Sequence, residues 1–223
     1  DQRAAMDTWD PQRRIGLIVD EWGTWHPVEK GTNPAFLYQQ NTMRDALVAA
    51  LSLDIFNRHA DKVVMANIAQ TVNVLLALVL TEENGTRMLV TPTYHIYDLY
   101  QDHQGGSALP ATFEAPEVSF PMAGKLERLA GLSGSASLKG KTLTLSVVNS
   151  SASEALEAEI VLRGGSAAGG SAKVLAHADI HAHNSYDAPE TVKPAAAELR
   201  AQGARMRFTF PPASVSLLSV QVG

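Results

Sequence analysis

The chain of 223 residues contains no cysteine. Disulfides and thiolate metal sites are therefore excluded, and the redox compartment stays open. Basic residues are not in excess: Lys and Arg total 18 against 23 Asp and Glu, a net charge of -5. No basic patch recurs, so nucleic acid is not an expected partner. Long apolar runs are also missing. The longest, Val74 to Leu80, is far shorter than a bilayer crossing requires, so no membrane partner is expected. No signal peptide is visible. The chain opens at Asp1 without a methionine, in helix-forming sequence, which leads us to expect a piece of a longer protein. The rest, 45% hydrophobic and 18% charged, is ordinary globular composition.

The most informative stretch is Ile15-Gly-Leu-Ile-Val-Asp-Glu-Trp-Gly-Thr-Trp-His26. The apolar run Ile15 to Val19 reads as a strand buried on both faces. It ends in two acids, Asp20 and Glu21, followed by Trp22 and Trp25. Acids at the C-terminal end of such a strand are where barrel enzymes keep their chemistry. A carboxylate beside an indole also suits a glycosidase, in which the acid reacts and the ring carries the sugar. The plainer alternative is an N-cap acid followed by core tryptophans.

Before this stretch, helix formers from Asp1 to Asp10 meet Pro11. After it, Asn33 and Pro34 suit the start of a helix expected from Ala35 to His59, with Leu47, Leu51 and Ile55 as its buried stripe. Arg44, Asp45, Asp54 and Arg58 are left for solvated faces or ion pairs. Val63 to Ile68 reads as a second buried strand. Two strands joined by one helix make a βαβ unit with parallel strands. Glu21 and Gln70 then share one rim. Asn84-Gly85 between apolar runs signals a hairpin, and Glu82-Glu83 reads as a solvated turn. Thr91 and Pro92 cap a further helix whose apolar side is Ile96, Leu99 and Tyr100.

From Gln104-Gly-Gly onward, short alternating runs take over: Leu143, Leu145, Val147; Ala158, Ile160, Leu162; Met206, Phe208, Phe210; then Val215 and Leu217. These argue for an antiparallel sandwich. Gly164 to Ala172 reads as a flexible surface loop. His177, Asp179, His181 and His183 would share one face of a strand and invite a zinc reading, set against an ordinary piece of sheet.

Several longer motifs carry a resemblance. Val19-Asp-Glu-Trp-Gly-Thr-Trp25, Asn33-Pro-Ala-Phe-Leu-Tyr-Gln-Gln-Asn-Thr42, His59-Ala-Asp61, Ala66-Asn-Ile-Ala-Gln-Thr-Val-Asn73 and Thr91-Pro-Thr-Tyr-His95 occur in that order. Ala182-His-Asn-Ser-Tyr186 and Val192-Lys-Pro194 follow. Together they resemble an α-L-arabinofuranosidase of glycoside hydrolase family 51 over nearly the whole chain.

The resemblance implies α/β followed by all-β architecture: residues 1–106 as the last two β/α units of a (β/α)8 TIM barrel, and residues 107–223 as a C-terminal β-sandwich. It implies a retaining, exo-acting hydrolase with Glu21 as nucleophile. Trp25 would wall the sugar and Gln70 would hydrogen-bond it. The acid/base glutamate of the family follows a Gly-Asn pair, and no Gly-Asn-Glu occurs in this chain. No metal and no cofactor are implied. Arabinose-bearing oligo- or polysaccharides are the expected partner. The full-length protein is expected to be a homo-oligomer and cytoplasmic, with secretion as the alternative. A catalytically incompetent sugar-binding or structural fragment and a related endo-glycanase are the competing readings. Asp20 is expected to play a supporting part, since neighbouring side chains on a strand point oppositely.

Overall fold

The computed structural model describes residues 2–82 and 84–223. The expected helix start at Asp1 and the turn acid Glu83 lie outside the described residues. The elements are α1 (Gln2–Trp9), β1 (Leu17–Trp22), α2 (Met43–Arg58), β2 (Val63–Ile68), β3 (Val79–Thr81), β4 (Met88–Val90) and α3 (Pro92–Tyr100). Ten strands follow: β5 (Ser107–Leu109), β6 (Glu117–Met122), β7 (Lys125–Ala130), β8 (Leu132–Lys139), β9 (Thr142–Asn149), β10 (Leu156–Val161), β11 (Ala167–Ala176), β12 (Ala195–Ala197), β13 (Arg205–Phe210) and β14 (Ser214–Val222).

β1 and β2 pair in parallel, with α2 as the crossover. Their base is pinned by a buried ion pair. Lys62, 1% exposed, donates to Asp10 Oδ2 at 3.1 Å. The same carboxylate accepts the backbone N–H groups of Arg14 and Ile15. The Ile15 amide is the main cause holding Asp10 below its ordinary pKa.

The two strands are not buried on both faces. Ile18, Val64 and Met65 are 50%, 65% and 52% exposed. One side of the unit is covered through Trp22, which meets Phe56 edge-on at 5.4 Å and stacks on Tyr97 at 6.5 Å. Among the described residues, nothing covers the other side to the same depth.

The helix expected from Ala35 divides into a single 3-10 turn, Pro34–Phe36, and α2, which starts at Met43. Asn33 does cap, accepting from the Ala35 N–H, but it caps the short turn. Leu37 then adopts a left-handed φ of 53°, which ends the turn. α2 begins at a capping box, Thr42 with Asp45. Its buried face is Met43, Ala46, Ala49 and Ala50, not the leucine stripe, and Ile55 is 47% exposed. Alanines on that face let the helix backbone lie close to what it packs against.

That partner is a six-stranded antiparallel sheet, ordered β12-β11-β14-β9-β8-β5. Both of its faces are covered. Val148, Leu175, Val215 and Leu217 join α2 and α3 in one core. Their chain neighbours Val147, Val174 and Leu218 face the β10–β13 pair, packing with Phe208 and Phe210. This alternation between two apolar cores explains why β9 and β14 read as nearly continuous hydrophobic runs. The stretch Gly164 to Ala172 is not a surface loop. From Ala167 it is part of β11, flanked by β12 and β14.

A buried polar seam joins α2 to the sheet. Asp54, expected in solvent or an ion pair, is fully buried. Its Oδ1 accepts from Ser135 Oγ at 2.7 Å and Ser146 Oγ at 2.6 Å. Burial outweighs these bonds and pushes its pKa up to about 6. His103 lies beside it, with Nδ1 2.8 Å from Ser137 Oγ and Nε2 3.2 Å from Ser146 Oγ. Burial pushes the imidazole down to about 4.

Candidate active-site rim

Parallel pairing decides where the strand ends lie. In register, Trp22 pairs with Ile68, and the Ala69 N–H donates to the Trp22 carbonyl at 2.8 Å. Glu21, one residue before that link, and Gln70, two residues past Ile68, are therefore brought to the same end of the strand pair. Both are exposed, and the Ala69–Gln70 peptide is cis. The pairing slips between Val19 and Trp22, so strict alternation fails there and Asp20 is exposed as well as Glu21. Trp22 packs inward, whereas Trp25 is 57% exposed on the loop that follows. The strand ends thus offer an exposed carboxylate and an exposed amide, and the loop leaving β1 adds an exposed indole. A carboxylate can attack or accept, an amide can both donate and accept, and an indole offers an apolar face to C–H groups.

The loop carrying Trp25 is anchored by residues that sequence reasoning left among solvated or unassigned positions. Gln39, 2% exposed, and Asp45, fully buried, both reach it. The signal for Asp45 was present as Thr42-x-x-Asp45, a capping pattern at a helix start. Nothing comparable marked Gln39. Asn73 holds its own loop, exchanging bonds with Thr81 Oγ1 and the Thr81 N–H, both at 2.8 Å.

His177 to His183 is a loop, not a strand, so its alternate residues do not line one face. The Asp179 N–H donates to His177 Nδ1 at 3.1 Å, and Asp179 Oδ1 accepts the His181 N–H at 2.8 Å. Among the described residues, no group of three His, Cys, Asp or Glu is placed to hold a metal. A groove of about 390 Å³ runs between α3 and β11, lined by His95, Asp98, Lys173, Glu190 and Lys193. None of the three rim residues lines it. Lys193 and Glu190 already pair there at 2.6 Å, and burial lowers the pKa of His95.

An α/β strand pair with an acid tip, packed through two helices on a β-sandwich, is an architecture of solved glycoside hydrolases. The chain superposes on the crystal structure of the GH51 arabinofuranosidase from Xanthomonas axonopodis pv. citri with a TM-score of 0.92 and 38% identity. That match covers 98% of this chain and 44% of the other. An α-L-arabinofuranosidase from Thermotoga maritima, solved with arabinose, shares the fold at a TM-score of 0.81 and 24% identity, over 97% of this chain and 45% of that one.

The chain belongs to the α-L-arabinofuranosidase C-terminal domain family, whose profile matches residues 20–214. It is 36% identical over 219 residues to the intracellular exo-α-L-arabinofuranosidase of Bacteroides ovatus, covering 97% of this chain and 41% of that protein. The chain therefore spans less than half the length of these relatives.

Proposed function

We propose that the chain is the C-terminal part of a retaining exo-α-L-arabinofuranosidase that releases terminal arabinofuranosyl groups from arabinan, arabinoxylan or their oligosaccharides. Residues 1–106 supply the last two β/α units of a (β/α)8 barrel, and residues 107–223 the β-sandwich that supports them. Glu21 attacks the anomeric carbon as the bond to the leaving oxygen breaks. The leaving oxygen takes its proton from a second carboxyl, about 5 Å away in retaining enzymes. That group is a glutamate carried outside this chain. Water, deprotonated by the same glutamate, then releases arabinose and frees Glu21. Gln70 hydrogen-bonds sugar hydroxyls, and Trp25 walls the ring. A cytoplasmic location and a homo-oligomer of the complete enzyme belong to this reading.

The observation that carries it is the parallel register of β1 and β2, which puts Glu21 and Gln70 on one rim in a chain of this family. The test is Glu21→Gln in the complete enzyme, assayed on an aryl α-L-arabinofuranoside. Turnover is expected to fall on the order of 10⁴-fold or more, as when a nucleophile is removed. Turnover near that of the parent would remove Glu21 from the role.

A second reading concerns the chain by itself. Ile18, Val64 and Met65 lie uncovered along β1 and β2, and no general acid partners Glu21 in the proposed scheme. Residues 1–223 alone are then a sugar-contacting but hydrolytically silent piece. Hydrolysis by the purified chain above background would refute this. Loss of a general acid alone costs about 10²–10⁴-fold.

A further inference from the structure

Trp25 is the residue of the rim least able to orient itself. At 57% exposure, its ring has little packing to fix it. Yet both of its chain neighbours are held by buried polar groups. The Thr24 carbonyl accepts from Gln39 Nε2 at 2.9 Å, and the His26 N–H donates to Gln39 Oε1 at 2.9 Å. Thr24 Oγ1 donates to Asp45 Oδ1 at 3.1 Å, and His26 Nε2 lies 3.1 Å from that same oxygen. Asp45 is itself locked, because its Oδ2 accepts the Thr42 N–H and Oγ1, each at 2.8 Å.

The clamp also has a floor. A Cβ on Gly23 would sit 3.2 Å from the Ala69 carbonyl oxygen, so the loop rests on the exit of β2 just before Gln70. Burying an amide and a carboxylate is costly unless their bonds are made. Here many of those bonds converge on the two residues that flank an exposed indole.

We propose that Gln39 and Asp45 are positioning residues that set the pose of the Trp25 indole over the arabinofuranosyl ring held at Glu21. This rests on Trp25 being the sugar wall, as read above. The indole is fixed through its backbone, from both sides, by groups that never touch the sugar. Such support outside the contact layer is what keeps a binding geometry tight.

The test is a double-mutant cycle in the complete enzyme, measured with 4-nitrophenyl α-L-arabinofuranoside. Trp25→Ala and Gln39→Ala are each expected to raise KM about tenfold, with kcat changed less than about threefold, the pattern of lost ground-state binding. The double variant is expected to match Trp25→Ala alone, because the clamp has nothing left to orient. Thr24→Val keeps the side-chain shape and loses one bond to Asp45. It should raise KM about threefold, and not at all in the Trp25→Ala background. It carries the test should Gln39→Ala fail to fold. A KM rise with Trp25→Ala, together with an unchanged KM or a fully additive penalty from the clamp variants, overturns the clamp and leaves the sugar wall standing. An unchanged KM in Trp25→Ala removes the sugar wall and the purpose of the clamp with it.

Discussion

In β1 and β2, Ile18, Val64 and Met65 are 50%, 65% and 52% exposed, while Val148 in β9 and Val215 in β14 are fully buried. The side chains are of the same kind. What differs is the number of layers. The six-stranded sheet has α2 and α3 on one face and the β10–β13 pair on the other. Among the described residues, the parallel pair has helices on one face only. An apolar strand is thus a demand for cover, and its neighbours decide whether the demand is met within this chain. The well-covered region holds most of the buried core, and the half-covered one carries the rim.

That contrast can be broken or sharpened by substitution. The largest effect is expected in the sandwich. Phe210, 1% exposed and packed on Phe208 at 5.0 Å, should lose about 3–5 kcal/mol of stability as Phe210→Ala, read by urea unfolding. A loss under about 1 kcal/mol would mean that β13 is not closely packed on the sheet.

Next comes the polar seam that ties the two regions. Asp54 has its pKa raised from 3.8 to about 6, so the folded state keeps a proton that the unfolded chain has released. Its contribution favours folding at acid pH and declines as pH rises through 6. His103 is lowered from 6.5 to about 4, so the unfolded chain takes up a proton that the folded state refuses. Its contribution is present above 6.5 and is lost as pH falls toward 4. Each is worth about 3 kcal/mol across its window, with opposite sign. Asp54→Asn keeps an acceptor for the two serines and removes one of the opposing slopes. Relative to the parent, the variant should gain about 2 kcal/mol between pH 4 and pH 7 in denaturant unfolding at each pH. A difference that stays constant with pH would show that Asp54 does not titrate in this range.

The smallest effect is the most diagnostic for the rim unit. Met65→Ala should change the stability of this chain by no more than about 0.5 kcal/mol, since the side chain is half exposed. In the complete enzyme, where the proposed barrel covers that face, the same change should cost about 2 kcal/mol or more. Equal values in the two settings would argue against that cover.

Much of this was legible in advance because it is local. Val63 to Ile68 is a strand with the expected ends, and Thr91 caps α3 by accepting from the Tyr94 N–H. Gly85 takes a φ of 68° in the turn between β3 and β4, as the Asn-Gly pair implied. The alternation of Leu143, Leu145 and Val147 does mark an antiparallel strand, β9. The errors arose where burial depends on distant partners. Ala46, Ala49 and Ala50 outrank the leucines on α2 because Val148, Leu175 and Val215, from strands far downstream, lie against them. Asp54 is buried because Ser135 and Ser146 arrive from that same sheet. The glycines and alanines of β11 look like a loop in isolation, yet they pair with β14, and a Cβ on Gly170 would sit 2.7 Å from the Ser219 carbonyl oxygen.

By itself the sequence determined most of the strands and helices, the parallel sense of β1 and β2, and the family, since periodicity, caps and motif order are written in neighbouring residues. Only the tertiary structure decided which polar groups go inside, and that Gln39 and Asp45 hold the loop of Trp25 from both sides. Those choices turn on hydrogen-bond partners that become neighbours only after the chain has folded, so no local pattern could announce them.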